Sequence, residues 1–285
     1  MDKTNLPQVA VPARLGVSSG ISQAASQRWN PDLRASAEDS EAARSISILD
    51  PIGADMWGDG VTAKRIGGAL RAIGGGDVVV NINSPGGDYF EGLAIYNQLR
   101  EYEGHVTVRV LGLAASAASI IAMAADEVQI GRAAFLMIHN TWVVAAGDRN
   151  AFRDVADWLE PFDRAAADVY AARTGLDTAN VSAMLDRETW ISGQKAIDQG
   201  FADSLLASDA EGQADAKNAA TLSPLAAAKK LDILLADKTS RSERQALVAA
   251  LKSGMPGAAQ TGKLGAAETD LALAAEALLG TLKAI

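Results

Sequence analysis

The strongest constraint on the fold is a valine-rich segment at residues 77–83, followed at once by a glycine turn and a helical pattern. Its sequence, Asp-Val-Val-Val-Asn-Ile-Asn, places apolar side chains on both faces, which is typical of a strand buried in a parallel sheet. A second strand is predicted at 105–111, where three valines alternate onto one face: Val106, Val108 and Val110. Helical patterns accompany these strands at 59–73, 88–101 and 148–173. This order of strand and helix predicts a layered α/β fold of βαβ units.

Shifts in composition divide the chain into four parts. Residues 1–44 are polar and without clear periodicity, which predicts a flexible N-terminal arm. Residues 45–207 carry the strand and helix patterns, and the polar residues 208–222 are predicted to be a linker. Residues 223–285 are rich in alanine and leucine and predict a helical tail, with helices starting near Ser223, Ser240 and Thr269. We interpret this tail as a scaffold or assembly segment, with a partly disordered tail as the alternative.

Charge and composition exclude several classes of protein. The 26 basic and 35 acidic side chains give a formal net charge of −9, which does not suit a general nucleic-acid binder. Cysteine is absent, so disulfides and thiolate metal sites are excluded, and the chain fits a reducing cytoplasm. Pro7 and Pro12 interrupt the N-terminus, which does not resemble a signal peptide. The longest apolar run, 111–125, is shorter than the about 20 residues of a membrane span, so we predict a buried helix there and no membrane association.

A serine at a strand-to-helix turn is the first candidate for catalysis. Ser116 lies among small residues where the strand at 105–111 gives way to an apolar helical run. Such a turn directs the hydroxyl outward and places backbone amides near it, as a nucleophile that forms an oxyanion requires. Taken alone, the segment 112–123 is better explained as a small-residue helix packed against a neighbour. Ser119, one helical turn further on, is interpreted as a packing residue and is the alternative nucleophile.

A serine nucleophile also requires a base, and this chain has only two histidines. His105 lies on the strand face opposite the valines and is predicted to be a surface residue. His139 ends the apolar run 133–138; a histidine in such a place is often structural, but here it is the only good base candidate. The turn Ser84-Pro-Gly-Gly87 can direct backbone amides towards a substrate carbonyl, although such a sequence is usually only a turn. The residues that a phosphate-binding loop or a dinucleotide fold requires around these glycines are missing.

Four motifs, in order and in spacing, resemble the ClpP-type serine peptidases over about residues 44–207. They are Asn83-Ser-Pro-Gly-Gly87, Gly112-Leu-Ala-Ala-Ser116, Met137-Ile-His139 and the segment from Trp190 to Asp203. Three further features look like the ClpP-related head maturation (prohead) proteases of tailed phages and prophages: Ile52-Gly, Tyr89-Phe-Glu-Gly-Leu-Ala-Ile-Tyr96 and Glu188-Thr-Trp190.

The resemblance implies a role for each candidate site residue. Ser116 would be the nucleophile and His139 the general base, with no metal or organic cofactor. The amides of Gly87 and Ala117 would form the oxyanion hole, and Gly86 would shape the turn. The family's acid falls two residues before the aromatic of the last motif, where this chain has Glu188 instead of aspartate; Asp186 is the alternative, and either carboxylate could instead be a solvated turn residue.

The resemblance also implies an architecture and partners. The fold would be a ClpP/crotonase-like layered spiral with a protruding handle helix at 148–173, whose apolar residues suit either ring-to-ring contacts or packing on its own domain. The chain would form a homo-oligomeric ring and cleave phage capsid or scaffold proteins, with the portal protein as a further partner, in the host cytoplasm or the immature head. The N-terminal arm and the linker would be sites of self-cleavage.

Three other functions remain open from the sequence. The first is a general ClpP-like peptidase that works with a separate ATP-dependent unfoldase, since this chain has no ATPase motif. The second is an inactive scaffold or assembly protein that retains the fold. The third is a crotonase-like acyl-CoA enzyme, which the placement of Ser116 and His139 disfavours.

Overall fold

The structure, a computed structural model, describes residues 17–33, 44–54, 60–207 and 224–235. The chain divides into two compact units. One comprises Met1–Trp29 and Leu33–Ala214, and the other Asn30–Asp32 and Asp215–Ile285. All the residues discussed below as a site belong to the first unit.

The described strands and helices alternate along most of the first unit. The strands are β1 (Val17–Ser19), β2 (Ser45–Ile48), β3 (Val78–Ser84), β4 (Val106–Ala115), β5 (Glu127–Ile130), β6 (Phe135–Ile138), β7 (Val143–Ala145), β8 (Thr189–Ser192) and β9 (Ser204–Leu205). The helices are α1 (Gln23–Arg28), α2 (Ala63–Ile73), α3 (Tyr89–Arg100), α4 (Ala117–Ala122), α5 (Arg149–Thr174), α6 (Thr178–Asp186) and α7 (Gly193–Asp198), and the second unit holds α8 (Pro224–Leu235). Within the described chain, no helix combines the length and apolar character that a membrane crossing requires.

The predicted parallel sheet is confirmed. Strands β2, β3, β4, β5 and β9 lie side by side, and every pairing along this row is parallel. Val78 and Val80 on β3 and the three valines of β4 lie in the core, whereas Val79 is only partly buried. The chain thus has the layered α/β fold expected for a ClpP-type domain.

Strand β4 is longer than predicted because it has two partners on the same edge. Its first half pairs with β5, and its last residues, Leu113 to Ala115, pair with β6. The ladder with β6 keeps the small residues after Leu111 extended, so the strand ends directly before Ser116. Strand β8 then pairs antiparallel with the free edge of β6, with Met137 opposite Trp190.

Side-chain caps define where the first large helices begin. Thr62 accepts a hydrogen bond from the Arg65 amide at the start of α2, and Asp88 accepts from two amides at the start of α3. One of these two amides belongs to Glu91, but the Glu91 carboxylate does not bond in return to the Asp88 amide, which donates to the carbonyl of Ile52. Glu91 instead accepts a 2.6 Å hydrogen bond from the amide of Ala63, because the start of α2 lies beside it. The carboxylate therefore links two helix starts.

The predicted flexible arm is wrong for residues 17–29. Strand β1 pairs antiparallel with β7, and α1 follows it. The Trp29 side chain is fully buried, and its indole nitrogen donates a 2.9 Å hydrogen bond to the carbonyl of Asn83. A buried indole with a satisfied N–H is a strong anchor. Residues 1–16 and 34–43, the linker 208–222 and the tail helices predicted near Ser240 and Thr269 lie outside the described residues, whereas α8 agrees with the tail helix predicted near Ser223.

Helix α5 has two different parts. Residues 149–161 include no buried side chain, and Phe152 is 51% exposed. Packing on the domain begins with Trp158 and Leu159, which are partly buried against the core, and from Phe162 onward Ala166 and Tyr170 are buried. The helix continues through Pro161. The apolar pattern predicted for this helix is therefore divided between an exposed first part around Phe152 and packing on its own domain from Trp158 onward.

Candidate active site

Ser116 lies between the end of β4 and the start of α4. Its backbone adopts φ 54° and ψ −124°, a conformation that non-glycine residues rarely adopt. The Ser116 amide donates a 2.9 Å hydrogen bond to the carbonyl of Met137 on β6, which holds the turn in place. The neighbours Ala115 and Ala117 are buried, and their small side chains allow close packing here. A strained serine held by a sheet is typical of a functional site.

His139 follows β6 directly and meets Ser116 side chain to side chain. Its Nε2 lies 2.7 Å from the Ser116 Oγ, within hydrogen-bond distance. Burial lowers the pKa of His139 below its usual value, while the negative charge of Glu188 acts in the opposite direction. A neutral imidazole beside a hydroxyl can accept its proton. His105, in contrast, is exposed as predicted.

The glycine turn lies against the serine. The amide of Ile52 donates to the carbonyl of Gly86, and the amide of Asp88 donates to the carbonyl of Ile52. These two bonds form a parallel bridge between Ile52 and Gly87. Because Ile52 bonds to the residues before and after Gly87, the amide of Gly87 itself points away from Ile52. A Cβ on Gly86 would lie 2.8 Å from the Ser116 Cβ and 3.3 Å from the amide nitrogen of Ala117. The turn and the start of α4 are thus in direct contact.

Both glycines in this turn are required by space and backbone conformation. Gly86 has φ 87° and Gly87 has φ 145°, values that side chains with a Cβ strain to adopt. A Cβ on Gly87 would lie 2.2 Å from the carbonyl oxygen of Ile52, which is closer than contact allows. The glycines therefore allow the turn to approach Ser116 on one side and Ile52 on the other more closely than other residues permit.

The two candidate acids have different surroundings. The Glu188 carboxylate accepts hydrogen bonds from the Ser22 hydroxyl and from the Trp190 indole nitrogen, each at 3.1 Å. Asp186 is exposed and accepts a 2.8 Å hydrogen bond from the side chain of Asn140. Glu188 raises the pKa of His139, so its charge is close enough to act on the imidazole. In the described part of the chain, His139 hydrogen-bonds to Ser116 and to neither carboxylate.

Ser119 is fully buried one turn into α4. Its hydroxyl lies 2.6 Å from the carbonyl oxygen of Ser116, 3.0 Å from that of Met137 and 2.8 Å from the hydroxyl of Tyr170. A hydroxyl enclosed by three oxygen atoms has no open direction towards a substrate. This placement favours the packing role over the alternative nucleophile.

The sequence did not indicate three side chains that contact the site residues. Ser22 contacts Glu188 from a segment that lacks periodicity, so no sequence signal could have found it. Trp190 stands in a quoted motif, but its bond to Glu188 depends on the left-handed backbone of Glu188, with φ 47°. Tyr170 lies in the helix predicted at 148–173, whose apolar residues were expected only to pack, yet its hydroxyl is 2.8 Å from that of Ser119.

Comparison with known proteins gives a consistent result. The profile of the Clp protease family matches residues 68–209, a range that contains the glycine turn, Ser116, His139 and Glu188. The ATP-dependent Clp protease proteolytic subunit of Oltmannsiellopsis viridis is 31% identical over 136 residues, which are 46% of this chain and 69% of that protein. Proteolytic subunit 2 of Rhodococcus jostii (strain RHA1) is 30% identical over 143 residues, 47% of this chain and 70% of that protein. Proteolytic subunit 3 of the same strain is 29% identical over 138 residues, which are 47% of this chain and 68% of that protein.

Proposed function

The chain belongs to the Clp protease family, and from that premise we propose that it is a serine endopeptidase with Ser116 as nucleophile and His139 as general base. The observation that carries this proposal is the 2.7 Å approach of His139 Nε2 to Ser116 Oγ. The lowered pKa of His139 supports it, because the imidazole must be neutral to take the serine proton.

The reaction follows from these positions. The Ser116 oxygen attacks the carbonyl carbon of a peptide bond, and its proton passes to His139. The tetrahedral intermediate then collapses, the C–N bond breaks, and His139 returns the proton to the leaving amine. Water attacks the resulting ester in the same way, with His139 again as base, and frees the carboxylic acid and the serine hydroxyl.

The oxyanion of the intermediate would be held by the amides of Gly87 and Ala117. The direction of the Gly87 amide, away from Ile52, and the close contact of Gly86 with Ser116 support this assignment. Fixed backbone donors stabilise the developing negative charge without reorganising during the reaction. The left-handed conformation of Gly86 forms the turn that brings this segment to the serine.

Glu188 is our choice for the acid that stabilises the protonated imidazole. Its carboxylate is fixed by two donors, and its charge acts on His139. Asp186 is the weaker candidate, because its side chain is exposed and is bonded to Asn140.

We further propose a self-associating ring, supported by the exposed first part of α5 and by Phe152, Trp142 and Val144, which are all more than a third exposed. As substrates we propose the capsid and scaffold proteins of a phage during head maturation, and the chain itself. The support is the resemblance of three sequence segments to the head maturation proteases: Ile52-Gly, Tyr89 to Tyr96 and Glu188-Thr-Trp190.

A second candidate is a general peptidase that receives unfolded substrates from a separate ATPase. The names of the similar proteins favour it, because each is the proteolytic subunit of an ATP-dependent Clp protease. Affinity purification of the chain carrying Ser116→Ala separates the two: capsid or scaffold proteins in the eluate support head maturation, and an unfoldase supports the general peptidase.

Labelling with a fluorophosphonate, followed by intact-mass measurement, tests the catalytic proposal. Wild-type protein should gain one label, located at Ser116 by peptide mapping, while Ser116→Ala should gain none and remain folded. Ser119→Ala is the matched control: it should still label at Ser116, although loss of the contact with Tyr170 should lower stability by about 1–3 kcal/mol. Labelling of Ser116→Ala, or no labelling of the wild type, contradicts the proposal and favours an inactive assembly protein.

A further inference from the structure

A segment outside the region that matches the Clp protease profile contacts the acid of the candidate site. This segment is Val17–Trp29, here called the N-terminal brace, and the profile begins only at residue 68. Its strand β1 pairs with β7, so that Val17 lies opposite Ala145 and Ser19 opposite Val143. The brace then continues through Ser22 and α1 to Trp29.

Two further contacts anchor the brace beyond β1. The guanidinium carbon of Arg28 lies 4.4 Å from the centre of the Trp190 ring, which is a cation–π distance. Trp29 is fully buried and hydrogen-bonded to the carbonyl of Asn83 on β3. With the β1–β7 pairing at one end and Trp29 at the other, the position of Ser22 is fixed relative to the site.

The Ser22 hydroxyl makes an unusual contact for its place in the chain. Ser22 occupies the N-cap position of α1, where a serine side chain normally accepts a hydrogen bond from a helix amide. It makes no such capping bond, and instead donates to Oε2 of Glu188 at 3.1 Å. The other carboxylate oxygen, Oε1, accepts the Trp190 indole N–H. Each oxygen of the acid therefore has one donor of its own.

We propose that Ser22 is a positioning residue that acts through Glu188, so that the N-terminal brace completes the active site. This inference rests on the proposed serine peptidase function. Glu188 has a long side chain on a left-handed backbone, and a single donor would leave its carboxylate free to rotate. With Ser22 and Trp190 on opposite oxygens, the carboxylate keeps one orientation and its charge stays near His139. In the described part of the chain, Ser22 makes no hydrogen bond to the imidazole or to the Ser116 hydroxyl.

The pH dependence of Ser116 labelling reports this role without knowledge of the natural substrate. The rate depends on neutral His139, and the charged group that acts on its imidazole is Glu188. The next charged groups are Asp186 and Asp163, which accept hydrogen bonds from Asn140 and Thr141 just after His139. Arg28 of the brace lies over the Trp190 ring. If Ser22 holds Glu188 in place, its loss weakens the effect of that charge on the imidazole. The acidic limb of the rate profile then moves to lower pH, and the maximal rate falls.

The experiment measures the second-order rate of fluorophosphonate labelling against pH for the full chain. Ser22→Ala should lower the maximal rate about 3- to 10-fold and should shift the acidic limb to lower pH. The loss is smaller than the roughly 10- to 100-fold value of a hydrogen bond to a charged group, because Ser22 acts indirectly and the Trp190 donor remains. Ser22→Thr, which keeps the hydroxyl, should restore both. Ser22→Val has nearly the shape of threonine without the hydroxyl and should behave like Ser22→Ala.

Ser26→Ala is the matched control on the same helix. The Ser26 hydroxyl is buried and has no hydrogen-bond partner among the residues that the structure describes, so its removal should leave the rate and the pH profile unchanged. The positioning role is overturned if the pH profile of labelling for Ser22→Ala equals that of the wild type. It is also overturned if the maximal rate falls while the acidic limb stays at the same pH. A faster rate also overturns it and would mean that the brace obstructs the site. If wild-type protein does not label at Ser116, the peptidase proposal fails instead.

Discussion

The candidate site has two parts that are held in different ways: the serine side, around Ser116 and the glycine turn, and the acid side, around Glu188. Each contains one of the two non-glycine residues with positive φ in the described chain, Ser116 at 54° and Glu188 at 47°. Ser116 is held by the main chain, through its amide bond to Met137 and the pairing of β4 with β6. Glu188 is held by side chains, and one of them, Ser22, is 166 residues away in sequence.

This difference separates what the sheet determines from what individual side chains determine. Side-chain substitutions change main-chain hydrogen bonds little, so apart from loss of the reacting groups themselves the serine side should respond to changes of backbone conformation. The acid side depends on named polar atoms, and a single substitution there removes a partner. Substitutions on each side, followed by their effect on labelling, test whether the main chain holds the serine and side chains hold the acid.

Glu188→Gln should reduce the labelling rate by about 10²–10³-fold, because the amide carries no charge to stabilise the imidazolium and its NH₂ group opposes one of the two donors. Asp186→Asn is the matched change on the alternative acid and should alter the rate less than about threefold. Rate measurements on purified, folded variants decide between the carboxylates. The reverse ranking would assign the role of acid to Asp186.

Gly86→Ala should reduce the rate by about 10–10²-fold, because it strains a left-handed backbone and places a methyl group 2.6 Å from the carbonyl oxygen of Ala115. Gly175→Ala is the control: it has the same kind of strain, with φ 72°, but no atom within 4 Å of the added carbon. The control should lose about 1 kcal/mol of stability and keep its labelling rate. Equal rates for the two variants would show that the glycine turn does not form the serine side.

The smallest expected effect is on the pH at which labelling is lost, which reports the pKa of His139. Burial lowers the pKa of His139, so the acidic limb should have its midpoint below the ordinary histidine value of about 6.5. Because the unfolded chain binds this proton more readily than the folded one, the contribution of His139 to stability should also be lost as pH falls through that range. In Glu188→Gln the midpoint should move lower still, since Glu188 raises this pKa. A midpoint above 6.5 in the wild type would contradict the burial of a neutral imidazole.

The sheet and the serine side could be predicted because they follow local rules. The valines of β3 and β4 indicated buried parallel strands, and Asp88 indicated the start of α3. The approach of Ser116 to His139 follows from neighbouring strands, although the sequence could not show that β4 continues to Ala115 until its pairing with β6 was known.

The acid side could not be predicted because its geometry has no local signal. A left-handed glutamate is rare, and only tertiary contacts stabilise it, so sequence reasoning left Glu188 and Asp186 both open. The N-terminal brace has no periodic pattern, and its order depends on the burial of Trp29 and on pairing with β7. Short strands such as β7 and β9 were missed for the same reason.

The pairing of β4 with β6 has a consequence for how such a site can be regulated. Moving the backbone of Ser116 away from that of His139 requires breaking the ladder between β4 and β6, whose paired residues are mostly buried. Displacing Glu188 requires only the loss of two side-chain hydrogen bonds. An effector with little binding free energy could therefore switch activity by moving the carboxylate, while the reactive pair stayed assembled in both states.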